Sequence, residues 1–236
     1  MNPPNANATE VIAALKSGLD VLVAELESAP FYQAITSPNA DSRLVNDTFK
    51  HVFLSIYLYQ PHVTEATFTA VGRMPKQSEQ LIKDMILQQV EEVEHADMAL
   101  RDYLRLGGDK ALAEGEMFPE CAAVAAVCHF LGEHCPPASY LGFMFIFEAL
   151  TPIMATRAQT LMDRAEYKQE AREFIDLHAT EDIRHTDMLI GVIEDLLKID
   201  PSVDKAILFG FNVFKNVYPI PVWAAAHARA CQKSNQ

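Results

Sequence analysis

Three polar residues on what should be the buried stripe of a single helix constrain this chain more than anything else in it. In the segment FIDLHATEDIRHTDML, His178, Asp182 and His185 follow one another at steps of four and three, so a helix stacks them on one face. Ile175, Leu189 and Val192 continue that stripe, while Glu181, Arg184 and Glu194 fall off it and can face solvent. Two imidazoles and a carboxylate aimed into a core are costly unless they bind something. A metal is the economical solution, because imidazole and carboxylate together suit iron, manganese or zinc.

The rest of the chain reads as helical. Apolar residues recur at helical spacing in seven segments, over 9–27, 42–71, 76–106, 120–133, 139–164, 166–198 and 204–231. Pro61 and Pro152 should bend two of these helices, Gly107-Gly108 ends the third, and Pro219 and Pro221 break the last. No stretch alternates with period two over the length of a strand, and hairpin dipeptides are missing, so the expected class is all-α. With 236 residues, half of them hydrophobic, the chain has enough apolar surface for one large domain spanning 1–236.

Charge and cysteine usage narrow the function. A formal net charge of -13 argues against nucleic acid and against an anionic membrane surface as partners. The opening MNPPNANATE has neither a basic start nor an apolar run, so a cytoplasmic protein is expected. The apolar run from Tyr140 to Ala155 is interrupted by Glu148, Thr151 and Pro152 and is too short to span a bilayer. Cys121, Cys128 and Cys135 lie near His129 and His134, but their spacing matches no common zinc motif, and core packing explains them better.

Three further acids join the first set. Glu92 and His95 form an acid-x-x-His step on the third helix, with Met85 and Ala99 near the same face. Glu148 is the only charge in SYLGFMFIFEALTPIMA, where a lone carboxylate must stay protonated or meet a cation. The second helix offers Glu65 as its only carboxylate between Phe49 and Val71, with His51 and His62 as competitors for an inward role. Glu65 is preferred because two iron ions need several anionic ligands. One acid from each of two helices, and an acid-x-x-His from each of two others, builds a di-metal site inside a helix bundle.

With these residues in place, the chain resembles the heme-oxygenase-like di-iron oxidases and oxygenases, a seven-helix superfamily whose last core helix carries His-x-x-x-Asp-x-x-His, here His178, Asp182 and His185. The resemblance implies that Glu65, Glu92, His95, Glu148, His178, Asp182 and His185 all hold iron. It also implies that Glu148 shifts between bridging and terminal roles, which makes it the catalytic carboxylate. Two Fe(II)/Fe(III) ions, with O2 as co-substrate, would pass through a peroxo di-ferric species. That species would act on a small metabolite such as an amino-acid or fatty-acid derivative, by oxidative C–C cleavage, desaturation or N-oxygenation. An external electron donor and a homodimer are compatible with the resemblance.

Two other readings compete. A ferritin-like four-helix bundle that oxidises and stores iron uses the same acid-x-x-His steps, but Asp182 in place of a glutamate and seven moderate helices favour the heme-oxygenase-like fold. A metal-free, thiaminase-like enzyme with a cysteine nucleophile leaves His178, Asp182 and His185 unexplained. Heme oxygenase activity itself has little support, since His51 is the nearest candidate for a heme ligand and lies well inside a helix. Arg157 is positioned to receive a substrate carboxylate, although a surface salt bridge is the simpler role for it.

Overall fold

The structure, a computed structural model, describes residues 6–75 and 79–233, and every regular element among them is helical. The chain starts with α1 (Ala6–Ser28), the short α2 (Pro30–Thr36) and the long α3 (Ser42–Gly72). Next come α4 (Glu79–Glu92), α5 (His95–Arg105) and the single turn α6 (Lys110–Ala113). The short α7 (Pro119–His129) runs into a π-helical turn at Phe130–His134, ahead of α8 (Ser139–Arg164). The last elements are α9 (Glu173–His178), α10 (Glu181–Ile199), α11 (Asp204–Phe214) and α12 (Ile220–Lys233).

Local chemistry sets several of these ends. Asp41 caps α3 by accepting the Arg43 N–H, and Pro30 and Pro119 occupy the first turns of α2 and α7, where no helical N–H is needed. Pro61 sits inside α3 without ending it. The expected helix over 139–164 is present with those bounds as α8. By length and composition α8 could cross a membrane, yet 72% of its apolar window is buried inside the protein. It is a core helix, packed against α11 on one flank and α10 on the other.

Glycine makes the first of those contacts close. A Cβ at Gly142 would overlap the Ile207 carbonyl oxygen, and one at Gly210 would overlap that of Ser139, so backbone meets backbone where α8 and α11 cross. The other central helix, α3, packs against α5, α7 and α12. Phe49, Phe53, Phe143, Phe145 and Phe214 are fully enclosed in the apolar core around the two.

Two expected helices turn out to be interrupted. The segment expected over 76–106 is α4 followed by α5, with a turn at Val93 and Glu94, and its expected start at residue 76 lies outside the described residues. The segment expected over 166–198 is α9 followed by α10, with a turn at Ala179 and Thr180. Neither turn contains Gly or Pro, so helix propensity does not cause them. Both fall inside the ligand motifs. Glu92 ends α4 and His95 begins α5, while His178 ends α9 and Asp182 lies in the first turn of α10.

Candidate metal centre

The four elements that meet at these interruptions, together with α8, bring six of the seven expected ligands together. Glu92, His95 and His178 form one group, and Glu92, Glu148, Asp182 and His185 form another, each with its ligand atoms within 4.8 Å of one another. All six residues are buried. Glu92 belongs to both groups, so Glu92, rather than the expected Glu148, is the carboxylate placed between two potential metal positions.

His178 and His185 are oriented by their outward nitrogens. Nδ1 of His178 donates to the Phe174 carbonyl at 2.7 Å, which leaves Nε2 as its ligand atom, 3.1 Å from His95 Nδ1. Nδ1 of His95 in turn lies 2.6 Å from Glu92 Oε2. On His185 it is Nε2 that meets a carboxylate, Glu91 Oε2 at 3.0 Å. Its Nδ1 points inward, 3.3 Å from Glu148 Oε2, 3.4 Å from Glu92 Oε1 and 3.7 Å from Asp182 Oδ1. A histidine that binds metal through one nitrogen and gives the other N–H to a carboxylate or carbonyl is the usual supported ligand.

Electrostatics show how strongly the centre calls for a cation. Asp182 Oδ1 and His185 Nδ1 are buried without a hydrogen-bond partner, which is costly in a neutral interior. Burial pushes the Asp182 carboxyl up to about 10, and the nearby Glu148 and Glu92 add to the rise. Glu148 rises to about 7, chiefly through burial. Burial works against a proton on His185, but the neighbouring Glu148, Glu91 and Glu92 outweigh it and lift its pKa to about 9. His178 goes the other way, down to about 4, through burial and the adjacent His95. Three buried carboxylates and a histidine gathered in one group suit a multivalent cation.

Glu65 is not part of this centre. Its side chain is 69% exposed, and its carboxylate is 3.9 Å from His129 on the far side of α3. Helix phase explains the correction: Val52, Ile56, Tyr59 and Val63 set the inward stripe of α3 at steps of four, three and four, and Glu65 lies two residues past it. What α3 offers instead is Gln60, whose amide donates to Glu92 Oε2 at 3.4 Å. Arg157 pairs with Glu27 at 2.5 Å and does not line the cleft beside the centre.

Several supporting residues were not singled out by the sequence reading. Gln88 donates to Glu148 Oε1 at 2.6 Å. The Thr186 hydroxyl lies 2.8 Å from the Glu148 carbonyl, tying α10 to α8. The fully buried Asp102 accepts the Phe174 N–H at 2.8 Å, joining α5 to α9 and so fixing the helix that carries His95 to the helix that carries His178. Gln88 and Asp102 lie on inward faces of apolar-periodic helices, which was their available signal. Replacing Glu91 by Gln removes the charge behind His185. It should weaken metal binding about 10–100-fold with the helical content unchanged, as read by metal titration alongside circular dichroism.

A cleft of about 820 Å³, open solvent included, reaches Glu92, Glu148, His178 and Asp182. Its walls are mainly apolar, with Ile56, Met144, Leu150, Met154, Phe174 and Trp223 among them, and among the described residues no Lys, Arg or Cys lines it.

An all-helical bundle with a buried carboxylate–histidine centre opening onto an apolar cleft is thus the class of protein that fold and site define. Residues 50–218 match the family model described as iron-containing redox enzyme, and the chain belongs to that family. Among solved structures it is similar to a domain of unknown function with a heme oxygenase-like fold from Shewanella denitrificans OS217. The identity is 14%, with 96% of this chain and 93% of that one covered and a TM-score of 0.72. A TenA homolog from Pseudomonas syringae pv. tomato DC3000 matches at 12% identity over 96% and 94% of the two chains, with a TM-score of 0.69. A TenA family transcription regulator from Silicibacter sp. TM1040 matches at 15% identity over 89% and 96%, with a TM-score of 0.61. At these identities the likeness establishes the heme-oxygenase-like fold alone. Comparison with the curated proteins gave no match.

Proposed function

We propose that this iron-containing redox enzyme is a di-iron oxidase or oxygenase that uses O2 on a small, largely apolar substrate. The observation that carries the reading is the pair of ligand groups sharing Glu92, which supplies donors for two metals side by side, next to an apolar cleft. Two irons held by these residues would supply electrons for the reduction of dioxygen and, with it, the oxidising power for an unactivated C–H or C–N position.

The chain's own residues do the rest. Ile56, Met144, Leu150 and Trp223 hold an apolar body by excluding water from it. With no Lys or Arg in the lining among the described residues, a substrate carboxylate has no cationic partner there and belongs at the cleft's mouth. Among the substrate classes considered, this favours an acyl chain over a free amino acid. Gln88 holds Glu148 through Oε1, which leaves Oε2 directed at His185 and toward the centre. An external electron donor completes the reaction where the substrate does not supply all the electrons.

The thiaminase-like reading loses ground because no cysteine lines the cleft, and burial pushes the Cys121 thiol up to about 11. Oxygen uptake by the iron-loaded chain tests the proposal, using a panel of fatty acids, amino acids and amines. We expect an aliphatic substrate to accelerate uptake and to be consumed with it. Ala155→Phe, which fills the cleft, should cut that acceleration at least tenfold while iron loading stays the same. Iron oxidation indifferent to every compound would favour storage instead.

A further inference from the structure

A second group of ligand-type side chains lies on the opposite side of α3, outside the centre described above. His62, Glu65 and His129 place one ligand atom each within 4.8 Å of one another, at the seam between α3 and α7. Nδ1 of His62 is 3.3 Å from Nε2 of His129, and the rings meet edge to face at 72°. Two imidazole nitrogens bound to one tetrahedral zinc, each at about 2.0–2.1 Å, lie about 3.3–3.4 Å apart, so this pair already has the required spacing. Glu65 Oε2 is 3.9 Å from His129 Nε2, and its exposed side chain is free to close in as a third vertex.

His129 is also prepared from behind. Its Nδ1 lies 2.8 Å from Glu133 Oε1, which fixes the tautomer with Nδ1–H outward and leaves Nε2 with its lone pair toward His62. Glu133 reaches that nitrogen from the π-helical turn Phe130–His134, an irregularity often found at functional sites. The frame is close-packed. A Cβ on Gly132 would stand 2.5 Å from the Ala66 carbonyl oxygen, and Arg73 donates to the Gly132 carbonyl at 2.5 Å, so the turn sits directly on α3. A proton shared between the two imidazoles can be replaced by a cation with little movement of either ring.

We infer that His62, Glu65 and His129 form a separate surface site for a divalent cation of the zinc class, oriented by Glu133 and pinning α3 to α7. Two histidines and one carboxylate leave a fourth position open to water or a small anion. None of the chain's cysteines takes part, and the site shares no residue with the buried centre.

Zinc titration followed by metal analysis tests this. In a His178→Ala/His185→Ala chain, which disables the buried centre, we expect one zinc per chain to remain. Adding His62→Ala or His129→Ala should remove it, while Glu133→Gln should weaken it about 10–100-fold and His134→Ala should leave it in place. Should the double variant fail to fold, the intact chain serves: single His129→Ala should then bind one zinc fewer than the unaltered protein. Co(II) put in place of zinc should give the intense visible bands of tetrahedral coordination, lost in the same variants. No zinc in the double variant, or zinc that persists after both His62 and His129 are replaced, would overturn the site.

Discussion

Anaerobic ferrous iron should bring close to two irons per chain into the buried centre, measured on a His129→Ala background so that the surface histidines contribute nothing. Six buried donors supply the two positions, with His95 and His178 at one, Glu148, Asp182 and His185 at the other, and Glu92 between them. Asp182→Ala or His185→Ala should abolish loading of the second position, a larger loss than the about 10–100-fold expected for an outer partner such as Glu91. Glu65→Ala should leave both irons bound, because that carboxylate faces solvent across α3. A single iron under saturating conditions would contradict the di-iron reading, and loss of iron from the Glu65→Ala chain would contradict the placement of that residue.

The stability of the metal-free chain should fall as pH rises from 7 to 9, and added metal should remove most of that dependence. Asp182 has its folded-state pKa raised from 3.8 to about 10 by burial and by the adjacent carboxylates. Across this window the folded chain therefore keeps a proton that the unfolded chain has released. Stability is full below the unfolded value and is lost as pH climbs toward the folded one, at about 1.4 kcal/mol per pH unit for one such proton. His185, raised to about 9, contributes with the same sign above its unfolded value of 6.5. The lowered pKa of His178 acts in the opposite sense, but only between about 4 and 6.5, below the window. Bound metal displaces these protons, so its stabilising effect should grow with pH. Chemical denaturation at pH 7, 8 and 9 with and without metal reads the slope, and a metal-free chain equally stable at all three would refute the linkage.

Sequence alone pointed to the helical class and to six residues of the centre. The step-of-four and step-of-three placement of His178, Asp182 and His185, the Glu92–His95 step and the isolation of Glu148 in an apolar helix are one-dimensional facts, because helical periodicity converts spacing into direction. The error over Glu65 came from counting carboxylates instead of following the phase of Val52, Ile56, Tyr59 and Val63, which the same periodicity made readable.

Tertiary structure decided what spacing could not. The turns at Val93-Glu94 and Ala179-Thr180 have no Gly or Pro to announce them. They fall where α5 is bound to α9 through Asp102 and the ligands converge from five helices. The sharing of Glu92, the support of His185 by Glu91 and that of Glu148 by Gln88 join residues up to 94 positions apart. So does the meeting of His62 with His129 across α3 and α7. Such pairings depend on how whole helices pack, a sum over the core that no local pattern carries, and they set which nitrogen and which oxygen of each ligand points inward.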